Sequence, residues 1–175
     1  METVSKHKLA AQITSVAQLT GTFLLRSGQT SNVYFDKYQF ESRPDLLQQL
    51  AIHAAPLIPK GTEVLAGLEL GGVAIAVALS LHTGLPVCFV RKKAKEYGTC
   101  RLAEGADVSG KNVLIVEDVV TSGGQVLLSG ADLRKLGATI THVLCAIDRE
   151  QGGKEALAAE GYTLTSIFTR TELTE

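Results

Sequence analysis

The chain has 175 residues, 45% of them hydrophobic, and a net charge of −1, which is one domain's worth of sequence with enough apolar content for a full core. Near-neutral charge argues against a general nucleic-acid binder, so any basic function must be local. The start, Met1-Glu2-Thr3-Val4-Ser5-Lys6, has no apolar signal region, and the longest apolar run, Val73 to Leu79 extended by Leu81, falls far short of a membrane span. Three widely spaced cysteines read as reduced thiols, Cys88 and Cys145 being small core residues. The expectation is a soluble cytoplasmic protein without nucleic-acid or membrane partners.

Leu9, Ile13, Val16 and Leu19 recur at helical spacing, so Ser5 to Thr20 reads as an amphipathic helix ending near Gly21. Phe23-Leu24-Leu25 and Tyr34-Phe35-Asp36 read as short strands around the turn Arg26-Ser27-Gly28. Pro44 lies near the first position of a helix that runs to about Ala55 and is ended by Pro56 and Pro59-Lys60-Gly61. A regular alternation follows. Strand Val64 to Gly67 leads through a Gly71-Gly72 turn to a helix ending at Thr83. Strand Val87 to Val90 precedes a charged loop, residues 91 to 110. Strand Val113 to Glu117 precedes a helix from Gln125 to Leu136. Strand Thr141 to Ile147 leads through Gly152-Gly153 to a short helix, and Leu164 to Phe168 is the last strand. Such alternation predicts an α/β fold with a parallel sheet and helices on both faces. The whole chain, 1–175, is expected to be one domain: about 1–60 form a helix and cap, and about 61–175 the core. Ligands of open α/β sheets sit at the carboxyl ends of strands, which gathers the turns after Gly67, Val90, Glu117 and Ile147.

The stretch Val113-Leu114-Ile115-Val116-Glu117-Asp118-Val119-Val120-Thr121-Ser122-Gly123-Gly124 carries the most chemistry. A buried strand running through a glycine-rich turn into a helix offers backbone N–H groups and a helix N-terminus to an anion, phosphate above all. Two carboxylates beside a phosphate would repel it unless they face something else on the same ligand. Sugar hydroxyls, from which they accept hydrogen bonds, or a metal ion satisfy that condition. A ribose 5-phosphate group fits best. The stretch has neither the Gly-x-x-x-x-Gly-Lys of a Walker loop nor the dinucleotide Gly-x-Gly-x-x-Gly.

This stretch resembles the phosphoribosyl-pyrophosphate (PRPP) motif of type I phosphoribosyltransferases. In that family the acidic pair holds the ribose 2′- and 3′-hydroxyls and the hydroxyl-glycine turn wraps the 5-phosphate. The resemblance therefore implies a PRPP site made by Glu117, Asp118, Val119, Val120, Thr121, Ser122, Gly123, Gly124 and Gln125. It also implies that family's fold, a mostly parallel sheet flanked by helices with a small N-terminal hood.

Four further segments extend the resemblance. Leu68-Glu69-Leu70-Gly71-Gly72 is similar to the pyrophosphate loop, with Gly71 where many orotate-specific members carry lysine. Arg91-Lys92-Lys93-Ala94-Lys95-Glu96-Tyr97-Gly98-Thr99-Cys100-Arg101 packs five positive side chains into eleven residues. Closing such a loop over a polyanion relieves its self-repulsion and excludes water. It resembles the lid of orotate phosphoribosyltransferases, Arg-Lys-x-x-Lys-x-His-Gly, matched by Arg91, Lys92, Lys95 and Gly98, with Tyr97 in place of the histidine. That lid reaches into the neighbouring subunit's site, which implies a homodimer. Phe23 to Gly28, continuing to Tyr34-Phe35-Asp36, is similar to the family's hood. Arg26 stands for its usual lysine, and Tyr34 and Phe35 offer ring faces to a planar base. Arg149 matches the arginine that pairs with the carboxylate of orotate, and a guanidinium suits a carboxylate in bidentate fashion.

The resemblance thus implies transfer of the phosphoribosyl group of PRPP to orotate, giving orotidine 5′-phosphate and pyrophosphate in the synthesis of UMP. Lys95, Arg91 and Asp118 are the expected catalytic residues. Arg26, Arg91, Lys92, Lys95 and Tyr97 join the PRPP site. Arg26, Tyr34, Phe35, Thr121 and Arg149 form the orotate site. Mg²⁺ is expected to be bound mainly through PRPP rather than by protein ligands. A purine phosphoribosyltransferase and a non-catalytic PRPP-sensing regulator are the alternatives. His7, His53, His82 and His142 show no metal-ligand spacing, and no histidine pattern marks Cys100 as a nucleophile.

Overall fold

The structure, a computed structural model, describes residues 3–24, 28–92 and 102–174. Six strands form the main sheet in the order β5-β4-β3-β6-β7-β8: β3 (Val64–Leu68), β4 (Val87–Val90), β5 (Ala103–Gly105), β6 (Asn112–Val120), β7 (Thr139–Asp148) and β8 (Thr163–Thr169). All pairings are parallel except β4 with β5. A separate antiparallel hairpin joins β1 (Gln18–Leu24) and β2 (Thr30–Phe35). The helices are α1 (Lys6–Ala17), α2 (Tyr38–Glu41), α3 (Pro44–Ala54), α4 (Glu69–Thr83), α5 (Gly124–Lys135), α6 (Gly153–Ala159) and α7 (Arg170–Thr174).

Strand side chains alternate in direction, and here each side is buried. Leu65, Leu114, Val116, Leu144 and Ala146 join Leu9 and Ile13 of α1, Leu46 and Leu50 of α3, and Ile75 and Leu79 of α4 in one apolar cluster. Val64, Ala66, Ile115, Val143 and Cys145 join Val126 and Leu133 of α5 and Leu157 of α6 in a second. The sheet is therefore a filling between two helical layers. Leu114 and Ile115 are consecutive and both buried to within 1%, which is why the run reads as continuously apolar. Each such side chain contributes roughly 1.5–3 kcal/mol.

Chain order reverses between β3 and β6, since β3 leads outward to β4 and β6 leads the other way to β7. The crevice outside the carboxyl ends of these two strands is where open α/β sheets take ligands.

Several boundaries differ from the sequence reading. The first helix stops at Ala17, and Gln18 to Thr20 belong to β1, where they pair with Phe35 to Val33. Ladder hydrogen bonds to β2 outweigh the helical spacing of Leu19. The charged loop contains β5, whose three residues form an edge pair with Cys88 to Val90, too short a strand to show periodicity. The strand β6 runs on through Val120, so the acid pair lies inside the strand, with Glu117 opposite Cys145 of β7. Helix α4 begins at Glu69, whose φ of 52° makes the whole strand-to-helix turn, and Gly71-Gly72 fall in its first turns. The short helices α2 and α7 carry too few residues for a helical repeat to be visible.

Candidate active site

The ends of β3 and β6 meet at one close contact. Asp118 is 1% exposed, and a Cβ on Gly71 would lie 1.6 Å from its Oδ2. The first turn of α4 can pack here only because position 71 has no side chain, so the lysine that the resemblance places there has no room. The cation comes from elsewhere. Lys37, immediately after the hairpin, forms a salt bridge with Asp118 Oδ2, and its ammonium also lies 5.3 Å from the Tyr38 ring centroid. The other oxygen, Oδ1, accepts from the Val119 backbone N–H.

Two more carboxyl groups crowd this point. Glu117 is 8% exposed and its Oε1 accepts from the Asp118 backbone N–H at 3.2 Å. Glu41, at the end of α2, is 6% exposed and has an Oε1 without a hydrogen-bond partner. Burial and then the Asp118 charge push Glu41 up to about 8, and the same two causes push Glu117 up to about 9. Burial pulls Lys37 down, but Asp118 and Glu41 outweigh it, and the net direction is upward. Sequence reading missed Lys37 and Glu41. The signal available was their i, i+4 spacing directly after the hairpin strand, with an acid next to the buried Phe40.

These raised carboxyls fix the sign of a pH effect. A folded-state value of about 8 for Glu41 against an ordinary 4.5 means the folded chain binds a proton that the unfolded chain has released. Stability is undiminished below 4.5 and falls as pH rises through that window to about 8. Glu41→Gln keeps an uncharged hydrogen-bonding group at every pH. Thermal melts should therefore fall less between about pH 5 and about pH 8.5 for the variant, by roughly 2–4 °C, the effect of about 1 kcal/mol in a domain of this size. Parallel melting curves for the two proteins would show that the Glu41 proton is not taken up on folding.

Beyond Val120 the chain turns through Thr121, Ser122 and Gly123 into α5. Gly123 caps the helix with a φ of 78°, a left-handed conformation suited to glycine. The first turn of α5 presents backbone N–H groups that lack intrahelical partners by geometry. Thr121 and Ser122 are exposed beside them.

A cavity of about 480 Å³ lies across β2, β7 and α7. It is lined by Tyr34, Phe35, Arg149 and Arg170 among others, so the structure brings together three residues expected to hold a base and adds a second arginine. Thr121 is not among its lining residues, but the Arg149 N–H donates to Val120 O at 2.9 Å, tying the cavity to the turn after β6. The Phe23 and Tyr34 rings pack at 5.4 Å, and Phe35 packs on Phe40 at 6.3 Å. Arg149 is not paired with Glu150. Glu150 Oε2 instead accepts from the Thr171 N–H and hydroxyl at 2.9 and 2.7 Å, while Arg149 Nε is buried without a partner.

A second cavity, about 580 Å³, is lined by Glu69, Leu70 and Val73 of α4 together with Phe89, Val90, Arg91, Lys92 and Glu104. It places the described base of the basic loop beside the first turn of α4. Arg26, Lys95 and Tyr97 lie outside the described residues, as do Gly98 and Cys100. Among the described residues, no group of three or more His, Cys, Asp or Glu side chains is arranged to hold a metal ion. No helix among them is long and apolar enough to cross a membrane.

Residues 45–168 match the phosphoribosyl transferase domain family, and the chain belongs to that family. The orotate phosphoribosyltransferase of Nocardioides sp. is 52% identical over 165 residues, 94% of this chain and 92% of that protein. The fold agrees. A crystal structure of Mycobacterium tuberculosis orotate phosphoribosyltransferase, in complex with Fe(III) dicitrate, superposes with a TM-score of 0.89 at 28% identity, covering 97% of this chain and 99% of that one. The same enzyme in complex with PRPP gives 0.84 at 25% identity, over 97% and 99% of the two chains. The particular relatives are thus orotate phosphoribosyltransferases, and the sheet is the mostly parallel type I phosphoribosyltransferase sheet.

Proposed function

We propose that the chain transfers the 5-phosphoribosyl group of PRPP to orotate, releasing pyrophosphate, as one domain with a hood of about residues 1–60 and a core of about 61–175. The observation that carries this reading is the buried, unpartnered Nε of Arg149 in a cavity walled by Tyr34 and Phe35, beside the turn after β6. A buried guanidinium N–H without an acceptor calls for an anionic ligand, and orotate combines a planar ring with a carboxylate. The name shared by the relatives points to the same base.

The bond from C1 of the ribose to pyrophosphate breaks with its electrons leaving on the pyrophosphate. The ring nitrogen of orotate closes on C1, and the proton that nitrogen carried is released to the departing pyrophosphate or to solvent. Catalysis is then positional and electrostatic. Glu117 and Asp118 hold the ribose hydroxyls, and Thr121 to Gln125 hold the 5-phosphate on the N-terminus of α5. Arg91, Lys92 and Lys95 stabilise the departing pyrophosphate, with Tyr97 alongside. Arg149, the ring faces of Tyr34 and Phe35, Thr121 and the Arg26 segment orient the base. Mg²⁺ would arrive on PRPP, since it keeps several waters and prefers substrate phosphates to an all-protein cage. It would neutralise charge on the diphosphate.

A homodimer with shared lids is supported by Leu70, Val77 and Leu81 on α4, which leave an apolar stripe exposed, Leu81 by 85%. Sedimentation as a monomer would remove the shared lid. A cytoplasmic location goes with use of a phosphorylated substrate.

The purified protein with PRPP, Mg²⁺ and orotate should consume orotate and release pyrophosphate in equal amounts, while adenine, hypoxanthine, xanthine and uracil remain unused. Turnover of a purine would transfer the sugar site to a different base. PRPP binding without any turnover would favour a regulator. In the same assay Lys95→Ala should lower kcat by roughly 10–10²-fold, less than a lone donor would cost because Arg91 and Lys92 share the charge. An unchanged kcat at saturation would take the lid out of catalysis.

A further inference from the structure

Three carboxyl groups, Asp118, Glu117 and Glu41, are 1, 8 and 6% exposed and crowd one point, and the cation that reaches them comes from outside the core. Lys37 lies between β2, whose Tyr34 and Phe35 line the base cavity, and α2, which carries Glu41. Its backbone is held in place. The Asp36 N–H donates to Ala17 O at 2.8 Å, and the Asp36 carboxylate accepts from the Tyr38 N–H and the Gln39 amide at 3.1 and 2.9 Å. The Lys37 side chain, 34% exposed, then reaches Asp118 across the crevice.

On the other side Asp118 packs directly against the first turn of α4, its Oδ2 filling the space where a side chain at position 71 would be. Two neighbouring carboxyls crowd it, and one ammonium holds it in place. Without that ammonium, the buried carboxylate loses its counter-charge, and its lowest-energy response is to swing away towards other partners. That movement spoils an acceptor aimed at sugar hydroxyls.

We propose that Lys37 is a positioning residue for PRPP: its ammonium clamps the Asp118 carboxylate in the orientation that accepts the ribose hydroxyls, so the hood supplies part of the sugar site as well as the base site. This rests on Asp118 holding the ribose. Lys37 acts through Asp118, so its loss is felt in PRPP binding and not in orotate binding, although it follows Phe35 by only two residues.

The test is steady-state kinetics on Lys37→Met, Lys37→Gln, Lys37→Arg, Asp118→Asn and the double variant Lys37→Met/Asp118→Asn, with melting temperatures to confirm folding. Lys37→Met should raise KM for PRPP about tenfold or more, with KM for orotate unmoved and kcat changed far less. Lys37→Gln should behave likewise if the apolar methionine perturbs folding. Lys37→Arg should recover most of the loss, since a guanidinium still pairs with the carboxylate. In the Asp118→Asn background, Lys37→Met should add little, because the group it positions is gone. Equal rises in both KM values, no rescue by arginine, or a full additional loss in the double variant would overturn the proposal. Wild-type KM for PRPP in Asp118→Asn would overturn the ribose assignment itself, whatever the Lys37 variants do.

Discussion

Replacing Arg149 by alanine should raise KM for orotate by roughly 10²–10³-fold while leaving KM for PRPP within a few-fold of wild type. A bidentate guanidinium–carboxylate pair makes two charged hydrogen bonds, each worth about 1.5–3 kcal/mol. The site is shielded enough for most of that to survive, since Nε is buried and Glu150, the adjacent acid, is engaged with Thr171 instead. Arg170 lines the same cavity and bounds the effect from above by supplying residual positive charge. Arg149→Lys should recover only part, because an ammonium is a point charge without the planar fork. Steady-state kinetics with each substrate varied separately separates the outcomes. A rise confined to KM for PRPP would assign Arg149 to the sugar side, and no rise in either would leave the carboxylate of orotate to another group. The fold should be indifferent to the substitution, because Arg149 is anchored through its backbone to Val120 rather than through its side chain.

The parts of this fold legible in the sequence are those where one physical rule acts alone. Strands buried on both faces need apolar residues at every position, so Val113 to Val116 and Val143 to Ile147 stand out whatever surrounds them. The turn at Gly123 needs a residue tolerant of positive φ, and glycine is there. Legibility fails where two rules compete. Leu19 fits a helical repeat and a strand pairing equally well, and only its partner Tyr34 in β2 decides. The acid pair ends an apolar run in the sequence, yet the ladder continues to Asp148 opposite Val120, because backbone pairing is indifferent to side-chain polarity. The candidate site divides the same way. Glu117, Asp118 and the turn after them form one contiguous stretch. Lys37 and Glu41 reach Asp118 only through the tertiary fold, and a local pattern cannot announce a distant partner.

Gly71→Ala should lower kcat/KM for PRPP by about 10³-fold, the consequence of displacing an acceptor that makes charged hydrogen bonds of about 1.5–3 kcal/mol each. The added Cβ would lie 1.6 Å from Asp118 Oδ2, 2.4 Å from its Cγ and 3.0 Å from its Cβ. Such a clash is relieved cheaply only when the opposing atom ends a flexible chain, and Asp118 is short, 1% exposed and held by Val119 and Lys37. Either the carboxylate leaves its position or the first turn of α4 moves off β6, and each disrupts the crevice between the two strand ends. The melting temperature should fall as well, since overpacking costs about 1–3 kcal/mol and each kcal/mol is worth roughly 2–4 °C here. Gly84→Ala is the control. Gly84 closes the other end of the same helix with a φ of 79° and nothing within 4 Å of its would-be Cβ, so alanine there strains the backbone without touching the site. It should lower the melting temperature and leave both KM values alone. If Gly71→Ala bound PRPP as the wild type does, Asp118 would not be working from this position, and the sugar hydroxyls would have to be held by Glu117 alone.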